Sequence, residues 1–206
     1  MVSKIEICNL ALAQLGQGSI SSLTQEDEKS RLLHLFYDPV KEEVLRTHNW
    51  AFACAQESLA LIEEAENTPY RYIYNYPSDA LFIRNIFGAE SYGGRKNAFG
   101  GFLKKPLPFK EYFRKDLHMR VLAVGAKQAK AEYTRRISDE NLFDSAFVKA
   151  FSLALACDLA VALTGDNDLA QRLLSKYTLC LDEARRCNMT EENSVTMLGD
   201  TFSEVR

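Results

Sequence analysis

The chain has 206 residues, 47% of them hydrophobic and 26% charged, with a net charge of −3 at neutral pH. That is enough apolar material to bury a core in one compact domain, or in a domain with an appended subdomain. The charge excludes a whole-molecule attraction to nucleic acid or to an anionic membrane, so any such contact must come from a local patch.

Met1-Val2-Ser3-Lys4 leads straight into an amphipathic pattern rather than an export segment, and no apolar run reads as approaching the roughly 20 residues of a bilayer span. The expectation is a chain that folds in the cytoplasm and makes no membrane contact. Cys8, Cys54, Cys157, Cys180 and Cys187 form no Cys-x-x-Cys pair and read as reduced packing residues.

In chain order, Ile5, Cys8, Ala11, Leu12 and Leu15 recur at helical steps and Gly16 follows, which predicts a helix over 3–16. Thr24, with Asp27 three residues on, supplies a cap for a second helix carried by Leu33, Phe36 or Tyr37, Val40 and Val44 to about His48. Asp38-Pro39 inside it predicts either a kink or a fresh start with Asp38 as N-cap. Trp50, the sole tryptophan, and Phe52 lie two positions apart, fitting a change to extended backbone where both enter the core.

Ser58–Ile62, Tyr70–Tyr76 and Leu81–Phe87 are short runs rich in aromatic or branched residues, predicting a small antiparallel sheet within 50–136. Tyr70, Tyr72, Tyr74 and Tyr76 alternate onto one face and read as a half-buried strand with its phenol tips in water. Residues 88–120 contain five glycines and two prolines and read as a long loop. Its basic residues Arg95, Lys96, Lys104, Lys105, Lys110, Arg114, Lys115 and Arg120 face only Glu90, Glu111 and Asp116, a patch able to meet phosphates or an acidic partner. Val121–Arg136 suits either a strand pair around Gly125 or a helix from Ala126.

The last third reads as a helical hairpin. Phe147, Phe151, Leu155, Leu159 and Leu163 step by four along a helix over 144–164, Gly165 closes it, and Asp166 or Asn167 caps a second helix running to about Asn188 through Tyr177. Asp158 breaks the apolar face; it reads as a solvated edge position or as a partner for Arg172 or Lys176. Residues 189–206 turn polar, with Val195, Met197, Leu198, Phe202 and Val205 spaced among acids, and read as a tail ordered only by a partner.

Motifs for chemistry are sparse. His34, His48 and His118 fall at no metal-ligand spacing, and the chain has no nucleophile elbow, phosphate-cradling loop or dinucleotide fingerprint. Glu63-Glu64 and Asp139-Glu140 read as solvent-facing caps at helix ends. No cofactor, metal or catalytic residue is expected.

The order of certain residues resembles the head-to-tail adaptors of short-tailed bacteriophages, the tail tubular protein A or tail accessory factor family. The resemblance spans 3–187 and is carried by Asn9-x-Ala11-Leu12-x-x-Leu15-Gly16 with Ile20 and Leu23, then Tyr37 ahead of Leu45-x-x-x-x-Trp50-x-Phe52-Ala53. Tyr76-Pro77-Ser78-Asp79-x-Leu81, Tyr133, Asp139 and Phe147 continue it into the apolar helix Ala154–Leu163. Asn49 stands where such adaptors commonly have proline, and the 88–110 stretch is longer than their usual loop.

The resemblance implies a non-enzymatic virion protein of α+β class, mainly α. A domain over 1–188 would comprise helices at 3–48, a small β subdomain at 50–136 with the basic loop 88–115, and the hairpin 144–188. It also implies a twelve-fold ring beneath the portal, contact with the tail nozzle and with packaged DNA, and a portal-docking tail at 189–206. On this reading Trp50, Phe52, Tyr76, Asp79 and Tyr177 hold the body. Two other classes remain on the residues alone: a carboxylate-based envelope hydrolase, and a DNA-binding module using the first two helices, against which the long linker Gln17–Thr24 argues.

Overall fold

A computed structural model describes residues 2–66, 69–88 and 105–193. The chain forms two compact units, one from Met1–Phe52 with Ile137–Arg206 and one from Ala53–Arg136. The first holds α1 (Lys4–Gln14), α2 (Glu28–Thr47), α3 (Ser145–Thr164) and α4 (Asn167–Asn193). The second holds β1 (Cys54–Ser58), β2 (Leu61–Glu64), β3 (Tyr72–Asn75), β4 (Ala80–Gly88), β5 (Phe109–Arg114), β6 (Met119–Val124) and β7 (Ala129–Arg135). The α+β class with two N-terminal helices and a C-terminal helix pair is as expected, but the described residues form two small sheets rather than one.

In the helical unit, helix ends are set by side chains that satisfy orphan backbone groups. Ser3 Oγ accepts from Glu6 N at 3.1 Å while the Glu6 carboxylate accepts from Ser3 N at 3.4 Å, a reciprocal cap on α1. At its other end Gly16 adopts φ +66°, which lets Gln17 N reach Leu12 O at 3.0 Å. Asn9 then clamps the returning chain, its amide donating to Ile20 O at 3.0 Å and accepting from Ile20 N at 2.8 Å.

The cap of α2 is Asp27, not Thr24: Asp27 Oδ1 accepts from Ser30 N at 2.8 Å, whereas the Thr24 hydroxyl bonds Ser22 at 2.7 Å. Nor does Asp38-Pro39 start a new helix. The helix runs through Pro39, because the one hydrogen bond that proline forfeits, to the Leu35 carbonyl, lies on an exposed face where water can substitute. Asp38 instead pairs with Lys41 at 2.8 Å and Lys4 at 3.5 Å.

Helix α3 begins at Asp144, which accepts from Phe147 N at 2.6 Å, and ends at Gly165 with φ +67°. Asp166 Oδ1 then accepts from Leu169 N at 2.9 Å and starts α4, which reaches Asn193, five residues past the expected end. Because α3 packs against α1, α2 and α4, it is apolar on nearly every side. With a mean hydropathy of 1.9 it has the length and apolarity of a membrane span, contrary to the sequence expectation, and 61% of that window is buried inside the unit.

Phe143, Phe147 and Phe151 form an aromatic cluster with Trp50, Phe52 and Tyr37. Trp50 meets Phe147 edge-on at 5.1 Å, and Tyr37 meets Phe151 at 5.1 Å. Ala51–Ala53 is a single 3-10 turn, so the expected extended stretch is absent there. The tight turn still brings Trp50 and Phe52 onto Phe147.

In the β unit the sheets run β1-β7-β4 and β2-β3-β6-β5, every described pairing antiparallel. Leu59-Ala60 breaks the expected Ser58–Ile62 strand, sending β1 and β2 to different sheets. Residues 121–136 are two strands, but β6 and β7 also go to different sheets instead of pairing around Gly125. Residues 109–124 form the β5–β6 hairpin, so the expected loop over 88–120 is narrower than predicted. Tyr74, Ile83, Ile86, Leu122, Val124, Ala131 and Tyr133 make up the core of this unit.

Candidate functional site

The residues expected to hold the body take the following places. Trp50 is fully buried and its indole donates to Val44 O at 3.1 Å. Phe52 stacks on Trp50 at 6.2 Å, and the Arg120 guanidinium sits 4.1 Å from the Tyr76 ring centre. Tyr177 is half-buried, and burial raises its phenol pKa, with Glu43 adding to the rise.

Asp79 lies in a less ordinary arrangement. The Tyr133 hydroxyl is within hydrogen-bond reach of Asp79 Oδ1 at 3.0 Å and Glu57 Oε2 at 3.1 Å. One phenol proton serves two carboxylates, tying β7 to β1 and to the turn before β4. Burial, then Asp79 and Glu57, push the phenol pKa well above its usual value, so it stays protonated and acts as a donor.

The basic set divides. Arg95, Lys96 and Lys104 lie outside the described residues. Arg114 is spent on Glu63 and Asp116, and Arg120 on Glu111. Lys105, Lys110 and Lys115 are exposed and make no ion pair among the described residues, with Lys110 lying 5.5 Å from the Tyr70 ring centre. Val195, Met197, Leu198, Phe202 and Val205 also lie outside the described residues.

Groups singled out for chemistry take structural places. Glu63 and Glu64 lie on β2 rather than at a helix end, paired with Arg114 and Lys127. Asp139 caps a short 3-10 turn, and Glu140 accepts from Tyr37 OH at 3.3 Å. Tyr74 does not point its phenol to water; it donates to Ala126 O at 2.6 Å. Burial pushes the Cys8 thiol up to about 12 and Cys157 up to about 11, leaving both as unreactive thiols at neutral pH. Among the described residues no three His, Cys, Asp or Glu side chains converge as a metal site.

A cavity of about 510 Å³ opens in the β unit, lined by Leu59, Leu61, Tyr74 and Phe87 with Lys127 and Lys130. It is mainly apolar, and Ser58 and Lys130, opposite each other on β1 and β7, also line it.

No protein-family model and no curated protein sequence matches the chain.

The helical unit displays large apolar side chains to solvent: Leu35 on α2 is 63% exposed, Val161 on α3 51%, and Leu174 and Leu179 on α4 55% and 73%. They are spread over three helices of the unit. Among them Asp158 is indeed an exposed edge position. Arg172 approaches Asp166 and Lys176 donates to Gln14, so neither serves Asp158.

Partial burial, with Glu43 behind it, raises the Asp158 carboxyl pKa above its ordinary 3.8. A carboxyl raised on folding binds its proton more tightly in the native state. The penalty is therefore absent below about pH 3.8 and complete once pH exceeds the folded value. Asp158→Asn should stabilise the protein at pH 7 by about 0.5 kcal/mol after solvent screening, and leave it unchanged near pH 3. Urea titrations at the two pH values check this.

Sequence reasoning missed Asn9, Glu57 and Asn188 as fixing residues. Asn9 lies mid-way along α1, and the backbone it clamps at Ile20 is 11 positions on. Asn188 carries no local signal, because the backbone it holds at Ala51 is 137 positions earlier in the chain.

Proposed function

We propose that this chain is a structural head-to-tail connector of a tailed phage or prophage. It would form a ring beneath the portal that extends the DNA channel and docks the tail nozzle. The supporting observation is the set of exposed leucines and valine on three helices of the helical unit, which a ring subunit would bury against its neighbours. The ordered motif residues give a second support. Asn9, Trp50, Asp79, Tyr133 and Phe147, which carry the resemblance, are those that clamp a loop, fill a core or link strands.

In this reading the protein makes and breaks no bond and binds no cofactor. Its partners are the portal, the nozzle and copies of itself, and its place is the virion head-to-tail junction after synthesis in the host cytoplasm. Lys105, Lys110 and Lys115, with Arg95, Lys96 and Lys104, would contact DNA or the next tail component. Arg114 is already paired and contributes less.

Of the expected tail 189–206, residues 189–193 belong to α4, and the segment 194–206 would dock on the portal through Val195, Met197, Leu198, Phe202 and Val205, folding on contact. Capture by the cognate portal ring, comparing the full chain with chains ending at Asn193 and at Asn188, tests this. Binding should fall by about 100-fold or more, because several apolar anchors are lost together. Equal capture of the full chain and the chain ending at Asn193 would sink the assignment of the tail.

A further inference from the structure

Strand β5 is outermost in the sheet β2-β3-β6-β5, and among the described residues it is hydrogen-bonded on one side only, to β6. Such an edge presents a row of backbone donors and acceptors to any extended segment that fits it. Lys110, Tyr112 and Arg114 alternate onto one face of β5. On that face lies a cavity of about 400 Å³ with Ile73 and Ala123 at its floor and Tyr70, Lys110 and Tyr112 around it. Tyr112 is 39% exposed, and Phe113, on the opposite face of the strand, is 57% exposed. The edge therefore reads cation, aromatic, cation.

The complement is in this chain's own sequence. Asp200, Phe202 and Glu204 are spaced by two and share one face when extended, reading anion, aromatic, anion. They lie beyond Asn193, the last described residue, on a tether of seven residues to Asp200 that spans up to about 23 Å.

We propose that the C-terminal segment of a second copy of this chain adds to β5 as an extra strand, setting Phe202 against Tyr112 and the carboxylates of Asp200 and Glu204 against Lys110 and Arg114. Side chains directly opposite on paired strands lie close enough for both the aromatic and the ionic contacts. Lys110 has no ionic partner among the described residues, so an acid opposite it displaces nothing. Arg114, already held by Glu63 and Asp116, is a fixed positive wall rather than a free arm. A strand passed from one copy to the next is a head-to-tail contact, able to propagate around an axis or along a filament. It needs no portal.

Sedimentation of the full chain across a concentration series, with no portal present, tests the proposal. Self-association should weaken about tenfold or more with Phe202→Asp, and equally with Lys110→Glu. Unchanged far-ultraviolet circular dichroism of the Phe202→Asp chain separates lost association from misfolding. Combining Lys110→Glu with a lysine at the one tail acid that faces it, Asp200→Lys or Glu204→Lys according to strand direction, should restore association to within about threefold of the original, while the other acid keeps its place against Arg114. A chain that stays monomeric, or association indifferent to these variants, would overturn the proposal. So would hydrogen-exchange protection of the β5 amides that does not vary with concentration, since that marks docking of the chain's own tail. Portal capture is read separately, so either result can fail without the other.

Discussion

Trp50→Ala should destabilise the protein by about 3–5 kcal/mol, a large part of the roughly 5–15 kcal/mol that holds a domain of this kind folded. The indole is fully buried, edge-on to Phe147 at 5.1 Å and to His48 at 5.2 Å. Truncation empties that volume, and neighbours on two helices and a 3-10 turn can close it only in part. It also strips Val44 O of the indole donor at 3.1 Å. Trp50→Phe separates the two costs: it keeps a ring in the cluster but loses the hydrogen bond and some volume, for about 1–2 kcal/mol. Because Trp50 is the only tryptophan, unfolding of these variants should be followed in urea by far-ultraviolet circular dichroism.

The second large effect is expected at Asn188, which is 5% exposed. Its Oδ1 accepts from Ala51 N at 2.9 Å, its Nδ2 donates to Asn49 O at 3.1 Å, and Nδ2 also lies 3.1 Å from His48 Nε2. One amide thus fastens the end of α4 to the turn that follows α2. Both Asn188→Ala and Asn188→Leu should cost about 2–3 kcal/mol, because each leaves a backbone donor and a backbone acceptor without a partner. Leucine matches asparagine in bulk, so a similar loss in both identifies hydrogen bonding rather than packing as the cause. Hydrogen exchange should show the last turns of α4 opening before the rest of the helix.

The helices were legible because their rules are local. The α1 step pattern, Gly16, the four-residue rhythm of α3 and the Gly165–Asp166 break each act within one or two turns of the chain. Where two local signals competed, sequence alone chose wrongly: Thr24 and Asp27 both suit a cap, and only the path of the loop clamped by Asn9 favours Asp27. At Pro39 the unbroken helix removes only the fresh start and not the kink, and the cost of the proline depends on whether the freed Leu35 carbonyl faces water.

The β unit was harder to read because strand pairing is non-local. Composition marked most of the strands, but nothing within five residues of Leu59-Ala60 or Gly125 tells that the chain is changing sheets. The basic stretch illustrates the same limit. Counting charges over 88–120 makes one patch, whereas folding assigns Arg114 to Glu63, 51 positions away, and Arg120 to Glu111 across the hairpin. Among the described residues Lys105, Lys110 and Lys115 remain without an ion pair.

The central claim is that this chain works by tiling its apolar faces around a portal. Native mass measurement of the full chain, alone and mixed with the cognate portal ring, addresses it most directly. The account predicts closed complexes carrying a full ring of this chain on each portal, with assembly lost when the exposed Leu174 and Leu179 are both changed to Glu. A mixture in which portal and chain stay separate would contradict it, and so would release of reducing sugar from envelope polysaccharide that disappears on replacing a single carboxylate.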